Sequence, residues 1–190
     1  MNPVEIIVII IMIILVVFYI NNQNFEVEYV ISKVDGKRYL VKNLPDKKKA
    51  ADTLARLNIQ LKKLISEMDK RFPNDESVQR LKKNYRPSNI SEGSEKHTYT
   101  SYSINKGEKI VFCLRARDGS NKIVPFNVLK YVAIHELSHL MTKEIGHPKV
   151  FWDNFKKLLN VAIDAKIYKR IDYSKNPARY CGLTIKSSVV

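Results

Sequence analysis

The chain has 190 residues, 45% of them hydrophobic, with only six glycines and seven prolines. That length and composition allow one domain with a real hydrophobic core and exclude a disordered or low-complexity chain. The formal net charge of +14 favours an anionic partner, whether nucleic acid, an acidic membrane face or an acidic protein, and charge alone does not choose among them.

The run Ile6 to Ile20, IIVIIIMIILVVFYI, has no polar interruption except the Tyr19 hydroxyl. As a helix it would span roughly 22 Å, a little short of a bilayer's hydrocarbon core. A cleaved signal peptide would want Lys or Arg before the run and a small-x-small site after it. Here Glu5 precedes it and Asn21-Asn22-Gln23-Asn24 follows. The expectation is an uncleaved transmembrane anchor over residues 1–24 and a folded domain over 25–190. Lys33, Lys37 and Arg38 lie soon after the anchor. The positive-inside rule then places the domain on the cytoplasmic side.

Val27 to Val41 alternates and turns at Asp35-Gly36, which predicts a hairpin. Pro45-Asp46 opens a helix whose Leu54, Leu57, Leu61, Leu64, Ile65 and Met68 form one apolar face. Its other face is rich in lysine and suits either solvent or an anionic surface. A short basic helix is expected around Val78 to Asn84, and a polar loop over Ser88 to Lys96. Thr98 to Ile104 and Glu108 to Arg115 read as a second hairpin around Asn105-Lys106-Gly107. His97, in the segment before it, reads as a solvated loop residue. Phe126 to Glu144 predicts a helix that buries Leu129, Val132, Ala133, Leu137, Leu140 and Met141. Gly146 suits its end, and Pro148 the first turn of another helix that faces Phe151, Phe155, Leu158, Leu159 and Ala162 inward. Asp172 to Val190 shows no clear period. Cys113 and Cys181 match no zinc-knuckle spacing and are expected as two free buried thiols, as in a reducing compartment, with a disulfide between them as the alternative.

The stretch AIHELSHLMTKEIGHPKVFW, residues 133–152, holds three of the four histidines. His135 and His139 are four apart on one helix, so they project from the same face and can grip one ion together. Glu136 lies between them, placed to take a proton from an attacking water rather than to hold the ion. This is the H-E-x-x-H arrangement of zinc peptidases. On the bland reading the histidines are satisfied core residues, Glu136 is on the surface and His147 is a turn residue. Against it, three titratable groups on the buried side of a strong helix are costly without a partner. His147, just past the helix, can return towards the first pair as a third ligand.

HELSHL followed by GHPKVFW resembles the SprT-like and WLM-type zinc metallopeptidases, in which H-E-x-x-H is followed by a third histidine and an aromatic pair. The resemblance extends over about residues 98–165 and includes similar anchored basic proteins of large DNA viruses. It implies an α+β fold, a compact zincin-like (minigluzincin-type) domain whose edge strand lines the cleft. It implies Zn2+ bound by His135, His139 and His147, with Glu136 as general base and a protein or peptide as substrate. Tyr180 is a candidate for stabilising the oxyanion. The spacing from His139 to His147 departs from the commonest WLM spacing, and an anchor stands where relatives carry DNA- or partner-binding segments. The expected function is a membrane-anchored zinc endopeptidase, single-pass, facing the cytoplasm or the interior of a virion. The alternative is a catalytically silent basic zinc-binding module that tethers nucleic acid or a capsid component to a membrane. The basic helices are expected to bind nucleic acid or anionic lipid non-specifically.

Overall fold

The computed structural model describes residues 2–21, 26–94 and 100–190. Helix α1, Pro3–Asn21, contains the apolar run and extends it at both ends. Its 19 residues give a length of about 28 Å, close to the thickness of a hydrocarbon core. It is the one helix among the described residues long and apolar enough to cross a membrane.

Strands β1 (Val27–Ile31) and β2 (Arg38–Lys42) form the expected hairpin, with Tyr29 opposite Leu40 and Ile31 opposite Arg38. Asp35 fixes the turn by accepting from the Lys37 amide at 3.1 Å and the Tyr39 hydroxyl at 2.8 Å. Helix α2, Lys47–Arg71, buries the whole predicted leucine face. Tyr39 and Val41 of β2 join that core. Helix α3, Glu76–Asn84, starts where Asp75 caps it, accepting from the amides of Ser77 and Val78 at 2.8 and 3.3 Å. Burial alone would raise the Asp75 carboxyl. Bonds from Lys157 and Ser77 overcome that and hold it down at about 2. The Lys157 bond, 2.6 Å long, also ties α3 to the later helix α5.

Strand β3, Ile90–Glu92, lies inside the segment expected as a polar loop. It is central: the sheet runs β1-β2-β3-β5-β4, with β3 parallel to both neighbours, β4 at Ser101–Ile104 and β5 at Lys109–Phe112. The segment reads as a loop because Ser91 and Glu92 are polar, yet both are buried. Glu92 is tolerated there because it accepts from the Lys42 amide and from Arg115 Nε, each at 2.8 Å. Burial pushes its carboxyl up, and these two partners pull it back. His97 lies outside the described residues.

The β4–β5 turn has three consecutive left-handed residues, Asn105, Lys106 and Gly107. A Cβ at Gly107 would fall 2.4 Å from the Asn84 carbonyl oxygen, so this turn is wedged against the end of α3. Helix α4, Phe126–Met141, buries the predicted face except for the half-buried Val132, and stops before Glu144, at Thr142. Thr142 Oγ1 donates back to the Ser138 carbonyl at 2.8 Å and accepts from Asn154 of the next helix at 3.0 Å. That next helix, α5, is Lys149–Asp164, preceded by Pro148.

The tail without a clear period forms a small hairpin, β6 (Ala178–Tyr180) and β7 (Leu183–Ile185). Here the expectation of free thiols is corrected. Cys113, directly after β5, and Cys181, in the β6–β7 turn, form a disulfide across 68 residues. Both are buried, as expected. Local spacing could not reveal the pair, because only the fold brings the tail hairpin beside the end of β5. With the bridge formed, the cysteines no longer argue for a reducing compartment.

Candidate metal centre

Helix α4 carries His135, Glu136 and His139 on its C-terminal half. It ends two residues after His139, and the chain returns through Gly146, whose φ of 82° an L side chain rarely adopts. That return brings His147 back over the helix. One ring nitrogen from each of His135, His139 and His147 lies within 4.8 Å of the others, and the Nε2 atoms of His135 and His147 are 3.1 Å apart.

The rings are held by apolar packing. Phe151, fully buried in the first turn of α5, meets all three imidazoles, with centroids 4.9, 4.5 and 4.5 Å from His135, His139 and His147. Burial, reinforced by the neighbouring imidazoles, pushes His135 down to about 3. Burial and then His147 push His139 down to about 4. Both rings are therefore neutral at physiological pH, with lone pairs available to a cation and no proton to displace. Three imidazoles that converge beside a cleft are nitrogen donors of the kind a zinc ion takes.

Glu136 is only 4% exposed, which removes the bland reading that put it on the surface. Burial alone pushes its carboxyl up to about 8. It reaches the same cleft, of about 660 Å3, as the histidines. Ser101, Tyr102 and Ser103 of edge strand β4 form the opposite wall, and Ile145 the rim.

Two residues that shape the cleft escaped the sequence. Lys106, in the β4–β5 turn, donates to the carbonyls of Thr142 and Glu144 at 2.9 and 2.8 Å, and more weakly to that of His139 at 3.4 Å. Its ammonium satisfies the orphaned carbonyls at the end of α4 and clamps the loop that delivers His147. In the sequence it reads only as a turn residue, because its partners are backbone atoms more than 30 positions away. Lys106→Met should lower metal affinity about tenfold to a hundredfold, the range for groups that orient metal ligands, as measured by competition with a chelator. Unchanged affinity would show that the loop holds His147 without this clamp. Ser101 is the other: its hydroxyl lies 2.7 Å from that of Tyr180. The structure places Tyr180 behind Ser101, 2% exposed, rather than on the cleft wall. Burial first, and the nearby Glu136 carboxylate as well, push its phenol up.

The family model of the WLM domain matches residues 33–187. The uncharacterized protein R325 of Acanthamoeba polyphaga mimivirus is 34% identical over 169 residues, covering 87% of this chain and 85% of that protein. The uncharacterized protein 136R of Invertebrate iridescent virus 6 is 33% identical over 69 residues, covering 36% of this chain and 38% of its own. Among solved structures, the crystal structure of Wss1 from Saccharomyces cerevisiae is similar, with a TM-score of 0.46 and 18% identity over 66% of this chain and 89% of that chain.

Proposed function

The chain belongs to the WLM domain family, a metallopeptidase family with relatives in large DNA viruses, and from that premise we propose that it is a membrane-anchored, zinc-dependent endopeptidase with a zincin-type site. One observation carries the proposal: three imidazoles converge within 4.8 Å around the mouth of a cleft in which Glu136 is buried beside them. His135, His139 and His147 would hold the ion. A zinc ion held there would supply Lewis acidity, polarising the scissile carbonyl and lowering the pKa of water. The cation's charge would also favour the ionised form of the buried Glu136 carboxyl, whose Oε would accept the proton of the attacking water and pass it to the leaving amine nitrogen. Strand β4 is an edge of the sheet, so an extended peptide can add to it and be held across the histidines. Tyr180, proposed from the sequence as an oxyanion donor, would act on that wall through Ser101.

Helix α1 serves as the anchor in this reading. The Cys113–Cys181 bridge argues against a cytosol that keeps thiols reduced. The tethering alternative keeps the charge and the histidines but has no use for a buried base beside an open ligand position.

Zinc should bind the full chain one to one. His135→Ala should abolish tight binding and His147→Ala should weaken it clearly, as measured by elemental analysis and chelator competition on protein prepared without chelator. Absence of zinc from the wild type would sink the proposal. A zinc-loaded wild type inert on every protein substrate would move the assignment to the tethering module.

A further inference from the structure

The β1–β2 hairpin presents an outer face that none of the other described residues covers. Tyr29 is 69% exposed, Ile31 63% and Val34 41%. Strand alternation places Tyr29 and Ile31 on the face opposite the buried Tyr39 and Val41, and the register puts Arg38 directly across from Ile31. The Arg38 guanidinium lies 5.8 Å from the Tyr29 ring centroid. Lys33 and Lys37 are exposed at the turn.

The acidic residues of the hairpin and its support are turned away from this face. Glu28 pairs with Lys47 of α2. Asp35 is engaged with Tyr39, and Asp52 of α2 takes the Ser32 hydroxyl and the Lys33 amide at 2.7 and 2.8 Å. What faces outward is therefore an aromatic ring and aliphatic side chains with Arg38 beside them, and the exposed Lys33 and Lys37 lie at the turn. That is the composition of a surface that seats in the headgroup layer of a membrane.

The tether selects the partner. Only residues 22–26 separate the end of α1 from the start of β1. Fully extended, that connection reaches about 21 Å, so an anchored hairpin cannot leave the neighbourhood of the bilayer. We propose that the outer face of the β1–β2 hairpin docks on the anionic surface of the membrane that α1 spans. The proposal rests on the anchor reading above. Its consequence is orientation. The sheet order puts β1 and the cleft strand β4 at opposite edges, four strand spacings or about 19 Å apart. Docking through the β1–β2 face therefore leaves the cleft strand at the far end of the sheet from the docked hairpin, open to protein segments that project from the membrane or lie above it.

The test uses the full chain in vesicles of phosphatidylcholine, with or without phosphatidylserine. One nitroxide is attached at Ile31→Cys and, in a separate sample, a reference nitroxide at the exposed Lys156→Cys of α5. With phosphatidylserine, the label at position 31 should lose collisions with an aqueous nickel chelate and gain them with oxygen, while the reference stays aqueous. Each basic residue near an anionic leaflet shifts the docking equilibrium about fivefold, so three together give about a hundredfold. The variant Lys33→Glu/Lys37→Glu/Arg38→Glu should therefore return the label to water while the chain still floats with the vesicles. A label that stays aqueous in both lipids on a floating chain overturns docking and leaves the anchor standing. A chain that does not float overturns the anchor, and docking with it. Dipolar coupling between the labels of two copies, without lipid contact, would show instead that edge strand β1 pairs with a second chain.

Discussion

Glu136→Gln should remove proteolysis while zinc stays bound. The carboxylate is buried beside the three histidines and is not one of the three convergent donors. Its neutral isostere keeps the volume but cannot take a proton from water. General-base assistance is typically worth about a hundred- to ten-thousandfold, and the loss should appear in kcat rather than in zinc affinity. A variant that loses zinc together with activity would mean that Glu136 is a structural part of the site. One that keeps full activity would end the peptidase assignment.

The same substitution has a second signature in the metal-free protein. Burial raises the carboxyl of folded Glu136 from its ordinary value of 4.5 to about 8. A group raised on folding stabilises the native state below its unfolded pKa, and that contribution is lost as pH rises through the folded value. The melting temperature of the metal-free wild type should therefore fall, relative to Glu136→Gln, as pH rises from 4.5 towards 8. Parallel melting curves across that range would show that the carboxylate is solvated in solution.

Removing the disulfide should have the largest effect on stability. The bridge closes a loop of 68 residues, for which the chain-entropy estimate is about 4 kcal/mol. For a domain of this size that corresponds to a drop in melting temperature of roughly 10 °C, seen on adding reductant or in Cys181→Ala. Reduction should also loosen the cleft. Cys181 follows Tyr180, and the Tyr180 hydroxyl supports Ser101 on the cleft wall. A rise in KM should therefore accompany the loss of stability. Identical melting with and without reductant, and in Cys181→Ala, would mean the thiols stay apart in solution.

What the sequence made legible is what repeats or lies close together along the chain. The leucine face of α2, the hairpin at Asp35-Gly36 and the apolar side of α4 follow directly from period and turn chemistry. The two α4 histidines share a face for the same reason, and the Gly146 turn made the return of His147 readable. Features whose partners are remote were not legible. Strand β3 looks polar until Arg115 is known to meet Glu92. Lys106 looks like a turn residue until its carbonyl partners are seen. Cys113 and Cys181 match no local motif, and only the tail hairpin joins them. Tyr180 was noticed, but its place behind Ser101 depends on the same hairpin.

The three histidines span only 12 positions, on one helix and the turn after it. Closing so short a segment costs little chain entropy, whereas β3 must pair with strands far away in sequence. The three imidazoles can thus come together through local contacts before the sheet is complete. A cation captured at that stage would act as a folding nucleus, drawing Phe151 and the start of α5 against α4 while the tail hairpin is still unattached.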